Sequence, residues 1–208
     1  MEKQMERHII LASASPRRRE LLHQVGIEPE IVPSRVEEVI TSSEPEQVVM
    51  ELSAQKAEDV AAGYRGQDVV VIGADTVVAV DGQILGKPRD RDDAIRMVTM
   101  LAGRSHQVYT GVTLVFCEGG KTEGRKNGSG KPQTEKTVTF AEVTDVCVYP
   151  MSRTQIERYV DTGEPMDKAG AYGIQGCFAA YIQGIRGDYT NVVGLPVGRV
   201  CQALFTED

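Results

Sequence analysis

Three consecutive arginines, Arg17, Arg18 and Arg19, follow the run ILASASP. Ser15 and Pro16 mark a helix start, with serine as N-cap and proline at the first helical position. The arginines therefore fall in the first helical turn, where the macrodipole is already positive. A strand, a turn of small residues and a helix N-terminus make an anion site, with backbone N–H groups facing the ligand. Arginine adds bidentate contacts to phosphate oxygens. Arg17 and Arg18 are thus candidate phosphate ligands, and Arg19 is left to solvent.

Other residues break their local pattern in a compatible way. Lys56 interrupts the apolar stripe of Val48, Val49, Leu52 and Val60 on a predicted helix, where a lysine either snorkels or meets an anion. Asp75 lies in VVVIGADTVV. A carboxylate in or at the end of a buried strand is paired, holds a metal or caps a turn. Glu37 and Glu38 are neighbours on an extended segment and face opposite ways, so one of them can join a given site. Lys87, in GKP, adds a further cation. Together these supply Arg and Lys for phosphates, and Asp and Glu for a hard cation. That is the inventory for Mg²⁺-assisted attack on a phosphoanhydride.

The elements that must position these groups are legible in outline. Residues 8–12 form a first strand, and 16–25 a helix with Leu21, Leu22 and Val25 inward and Gly26 as its stop. Residues 29–40 are extended. Ser43 and Glu46 make a capping box for a helix over 44–62, closed by Gly63. DVVVIGAD is a buried strand, and Asp81-Gly82 a hairpin turn. Asp90 caps a helix ending near Leu101. Residues 105–117 and 136–149 are long β segments. Between them, 118–135 is polar and rich in Gly and Lys, a flexible insertion. Ser152 and Gln155 cap a helix over 153–161. A glycine-rich irregular segment follows, then a strand near 177–185, plain turns at GEP and RGDY, and a helix after Pro196. Alternating strands and helices with antiparallel hairpins argue a mixed α/β sheet with helices on its faces.

Bulk properties narrow the partners. The 208-residue chain carries a net charge of −7, 41% hydrophobic and 25% charged residues. An acidic chain without an aromatic stacking platform argues against a nucleic-acid surface. The polar N-terminus and short apolar run after it give no membrane span, and four scattered cysteines without a CxxC pair suit free thiols in the cytoplasm. His8, His23 and His106 have no ligand spacing.

The motifs LASASPRRRELL, EEV at 37–39, AQKA at 54–57, GADTVV at 73–78, GKP at 86–88, GRSHQVYTGV at 103–112, DKAGAYGIQG at 167–176 and VVGLP at 192–196 occur in that order. On them the chain resembles the Maf family of nucleoside triphosphate pyrophosphatases over nearly its whole length. The resemblance implies a single domain over residues 1–208: an elongated mixed sheet in two lobes around a deep cleft, related to inosine-triphosphatase folds and often a homodimer. It implies Asp75 as proton acceptor and Arg17, Thr76 and Gln175 as positions of substrate choice. It further implies Arg18, Lys56 and Lys87 facing phosphate, a triphosphate over Ser15 to Arg18, and Mg²⁺ or Mn²⁺ at Glu38 and Asp75. AGAYGIQG resembles the subfamily acting on dTTP and UTP, and the carboxamide of Gln175 offers a donor and an acceptor to a pyrimidine edge. A 7-methyl-GTP pyrophosphatase and a non-catalytic nucleotide sensor in cell-division control are the competing expectations.

Overall fold

The computed structural model describes residues 7–119 and 136–205. Residues 120–135, most of the expected insertion, lie outside the described residues. The sheet is seven-stranded, ordered β2-β1-β3-β5-β6-β7, with β4 also paired to β3. Its strands are β1 (His8–Leu11), β2 (Glu30–Ile31), β3 (Val69–Val80), β4 (Gln83–Leu85), β5 (Ser105–Cys117), β6 (Lys136–Val148) and β7 (Ile182–Arg186). The helices are α1 (Pro16–Gln24), α2 (Pro45–Ala61), α3 (Arg91–Leu101), α4 (Arg153–Val160), α5 (Tyr189–Val193) and α6 (Val197–Phe205). No described helix is long and apolar enough to cross a membrane.

β3 organises the molecule. Its β-branched run is buried throughout except at Asp75 and Thr76, as expected of a strand covered on both faces. One edge pairs continuously with β5, from Val69↔Cys117 to Ala79↔Gln107. The other edge is shared. β1 runs parallel to Val69–Ile72, and β4 runs antiparallel to Val78–Val80 after a turn with positive φ at Asp81 and Gly82. Among the described residues, 73–77 have no ladder on that edge, so the sheet is notched at the level of Asp75.

Hydrophobic packing divides at the same level. On one face α2 covers Ile10, Val71 and Val77 with Val48, Val49, Leu52 and Ala57. On the other, Leu21 and Leu22 of α1 join Val197 and Val200 of α6 over Leu11, Ile72 and Leu114. Beyond the notch, α3 and α4 pack Ile95, Val98, Leu101 and Ile156 with Val78, Val146 and Phe178. Each lobe thus has its own apolar centre, while β3 and β5 run through both.

The local expectations hold at Ser15, Gly26, Asp90 and Ser152–Gln155. Five others are corrected. The N-cap of α2 is Glu44 rather than Ser43, because Pro45 takes the first helical turn and Ser42 Oγ accepts the Glu44 N–H at 3.1 Å. The helix ends at Ala62 in right-handed conformation, so Gly63 is not its left-handed stop. Val25 is exposed rather than inward. Residues 177–181 form a 3-10 turn, and the strand begins at Ile182. RGDY is more than a turn, since Asp188 caps α5 by accepting from Thr190 N–H at 2.7 Å.

Candidate active site

The notch in β3 is bridged by Arg18. Its Nε donates to the Gly194 carbonyl at 2.8 Å and its Nη1 to the Ala74 carbonyl at 2.9 Å and Ser13 Oγ at 3.1 Å. Nη2 donates to Thr76 Oγ1 at 3.1 Å. A β-strand carbonyl left without a ladder partner is thereby satisfied by a side chain. Burial pushes the guanidinium below its usual pKa, Asp75 opposes this and Arg17 adds to it. The resemblance implies that Arg18 faces phosphate. It does line the cleft, but a guanidinium has five N–H donors and four are committed here.

On the α2 face, two glycines set the geometry. A Cβ at Gly73 would lie 2.3 Å from the Ser53 carbonyl oxygen, and one at Gly111 2.1 Å from that of Val49. The helix backbone therefore rests directly on β3 and β5. Gly73 and Asp75 share that face by strand alternation. The close approach lets Lys56 Nζ donate to Asp75 Oδ1, and both side chains are only 17% exposed. Lys56 also meets Glu38 Oε1 at 3.0 Å. Of the alternatives open to a lysine in an apolar stripe, it takes the anion.

Glu38 arrives on a strap held by α2. Glu51, Gln55 and Asp59, four residues apart and so on one helix face, each grip it. Thr41 donates to both Glu51 oxygens, Val39 exchanges two hydrogen bonds with the Gln55 carboxamide, and Asp59 accepts from Ser34 Oγ and Arg35 N–H. The Thr41 and Ser34 hydroxyls hold Glu51 and Asp59 below the ordinary carboxylate range.

The cleft so formed has a volume of about 930 Å³. Ser15, Arg17, Arg18, Glu38, Lys56, Asp75, Thr76, Lys87 and Gln175 all line it, and of the neighbouring carboxylates Glu37 and Glu38 it is Glu38 that joins. Ser15 stands at the N-cap of α1 but makes no side-chain cap bond, so its hydroxyl is not committed to the helix start. Sequence reasoning missed the far wall. Arg17 Nη1 reaches across to Asp167 Oδ2 at 3.2 Å, and Lys168 Nζ meets Asp167 Oδ1 at 2.7 Å. Burial works to raise the Asp167 pKa, but Lys168 and Arg17 carry it below its ordinary value. Thr76 continues inward to Thr110 Oγ1 at 2.9 Å, which donates to the Asn191 carbonyl at 3.1 Å. His106 is buried against the Tyr172 hydroxyl at 2.7 Å, and burial depresses its pKa to about 4.

No three of His, Cys, Asp and Glu converge on a metal position among the described residues. Glu38 and Asp75 are nevertheless two carboxylates aimed at one positive charge. Mg²⁺ is commonly held by one or two carboxylates with substrate phosphates completing its shell. The pair fits a cation that arrives with the phosphates.

A family model described as Maf-like protein matches residues 8–207. The chain belongs to the Maf family. Among curated relatives, it is 53% identical over 207 residues to a dTTP/UTP pyrophosphatase of Agathobacter rectalis, covering 94% of this chain and 95% of that protein. It is 47% identical to one of Carboxydothermus hydrogenoformans, covering 94% and 96%. Among solved structures it is similar to the Staphylococcus aureus Ham1 protein, with TM-score 0.44 and 15% identity over 68% of this chain and 72% of that one. A likeness that low adds nothing to the family assignment.

Proposed function

We propose that this Maf-family chain is a nucleoside triphosphate pyrophosphatase that hydrolyses dTTP and UTP to the nucleoside monophosphate and pyrophosphate. The observation that carries the reading is Asp75. Lys56 occupies its Oδ1, its Oδ2 makes no hydrogen bond among the described residues, and Asp75 lines the cleft. A buried-strand carboxylate with one oxygen fixed and one free supports the reading of Asp75 as general base. A pure nucleotide sensor has use for the cations but none for this arrangement. The names of the relatives supply the substrate class.

In the reaction the triphosphate lies over Ser15 to Arg18, and Arg17 exchanges Asp167 for a phosphate oxygen. Lys87 approaches from the opposite wall. Glu38 and Asp75 would hold Mg²⁺ or Mn²⁺, which neutralises phosphate charge when bound. Asp75 Oδ2 accepts a proton from the water that attacks the α-phosphorus. The α–β bridging bond breaks, and Arg17 and Lys87 stabilise charge growing on the departing pyrophosphate. Thr76 and Gln175 meet the nucleoside end, where the carboxamide pairs with a pyrimidine edge. A homodimer and a cytoplasmic location accompany this reading, to be tested by light scattering and cell fractionation.

Hydrolysis of UTP in ¹⁸O-labelled water, followed by ³¹P NMR and mass spectrometry, tests the reading. UMP carrying the label with unlabelled pyrophosphate is the expected product pair. UDP with labelled phosphate would place the attack at the wrong phosphorus and overturn it.

A further inference from the structure

Gln175 sits third in a turn, Gly173 to Gly176, closed by the Gly176 N–H donating to the Gly173 carbonyl at 3.2 Å. This turn, exposed at Gln175 and Gly176, has its own support. Glu164 Oε2 accepts the Cys177 N–H at 2.7 Å, one residue beyond the turn. Glu164 Oε1 accepts the Tyr159 hydroxyl at 3.1 Å. A Cβ at Gly176 would lie 2.3 Å from the Glu164 carboxylate, so that carboxylate is seated against the turn backbone. At Gly173 a Cβ would lie 2.7 Å from Lys168 Cε, and Lys168 Nζ is tied to the Glu164 carbonyl at 2.6 Å.

Glu164 is partly buried and has no ion pair among the described residues; its carboxylate is given to a backbone N–H and a tyrosine. Tyr159 is in turn 3% exposed and packs on the fully buried Phe178 at 4.9 Å between ring centroids. A rigid line therefore runs from the apolar centre of the second lobe through Tyr159 and Glu164 to the turn that carries Gln175. A carboxamide distinguishes bases only if its donor and acceptor stand in a fixed direction, and such fixing comes from the layer behind the contact residue.

We propose that Glu164 is a positioning residue for base selection, holding the Gly173–Gly176 turn so that Gln175 presents its carboxamide to the pyrimidine. This rests on the reading of Gln175 given above.

The test compares wild type, Glu164→Ala, Glu164→Gln, Gln175→Ala and the Glu164→Ala/Gln175→Ala double variant on dTTP, UTP, ATP and GTP. Glu164→Ala should narrow the dTTP-to-GTP ratio of kcat/KM by about tenfold, the size of a lost hydrogen bond to a charged group. The change should fall mainly on KM for dTTP and UTP and match that of Gln175→Ala, with no further loss in the double variant. Glu164→Gln keeps an acceptor for Cys177 and should retain the ratio. Equal loss on all four nucleotides, or an unchanged ratio in Glu164→Ala while Gln175→Ala shifts it, overturns the proposal. An unchanged ratio in Gln175→Ala overturns the reading of Gln175 itself, and the proposal with it. If Glu164→Ala does not fold, Gly176→Ala displaces the same carboxylate, and an unaltered ratio there is equally contrary.

Discussion

Asp75 and Gly111 are register partners across β3 and β5, and the side chain missing from one makes room for the helix that supplies a lysine to the other. Partners in an antiparallel pair point to the same face. With no Cβ at Gly111, the Val49 carbonyl of α2 settles onto the strand, and Lys56 two turns further along the helix reaches Asp75.

Gly111→Ala should therefore act on catalysis and stability together. Its Cβ would fall 2.1 Å from backbone, which cannot rotate away. Overpacking of this kind costs about 1–3 kcal/mol. Lifting α2 also separates Lys56 from Asp75, so kcat should fall along with Tm. Gly198→Ala, where nothing lies within 4 Å, is the control and should leave both unchanged or raise Tm slightly. Calorimetry and steady-state kinetics on the two variants check this; equal behaviour would contradict it.

Arg18→Lys should destabilise the fold by about 2 kcal/mol or more in urea denaturation. A lysine point charge cannot reproduce a planar fork spread over Ser13, Ala74, Thr76 and Gly194. The Ala74 carbonyl would lose its partner at the notch. A variant with wild-type stability and only weaker substrate affinity would mean that Arg18 serves phosphate rather than scaffold.

His106 makes stability depend on pH in a defined window. Burial lowers its pKa from 6.5 unfolded to about 4 folded. The native state keeps the imidazole neutral where the unfolded chain takes up a proton. The contribution is complete above pH 6.5, is lost as pH falls toward 4, and amounts to at most about 3 kcal/mol. His106→Gln should flatten that part of the stability curve, measured by urea unfolding at successive pH values. An unchanged slope between pH 6.5 and 4 would contradict it.

What the sequence made legible was local. Ser15-Pro16 announces a helix, and Lys56 and Asp75 stand out because each interrupts an apolar pattern of known period. The same local signals misled at α2, where Ser43 and Glu46 match a capping box but Pro45 fixes the start one residue later. The notch was not legible, because it depends on where β1 and β4 stop along β3, a matter of register between distant segments. Nor was the Arg17–Asp167 contact, made between residues 150 positions apart. Gly111 did carry a signal, a glycine within a β-branched strand, which marks close backbone approach. Glu164 carried none, since GEP has the composition of an ordinary turn.

The central claim is that Asp75 is the general base of a triphosphate pyrophosphatase. The most direct measurement is pyrophosphate release from dTTP, UTP, GTP and ATP, with Mg²⁺ or Mn²⁺, by wild type and a folded Asp75→Asn variant. Release from dTTP and UTP that falls about 10²- to 10⁴-fold in the variant is the predicted result. Full activity in folded Asp75→Asn, or no release from any nucleotide by folded wild type, would contradict it.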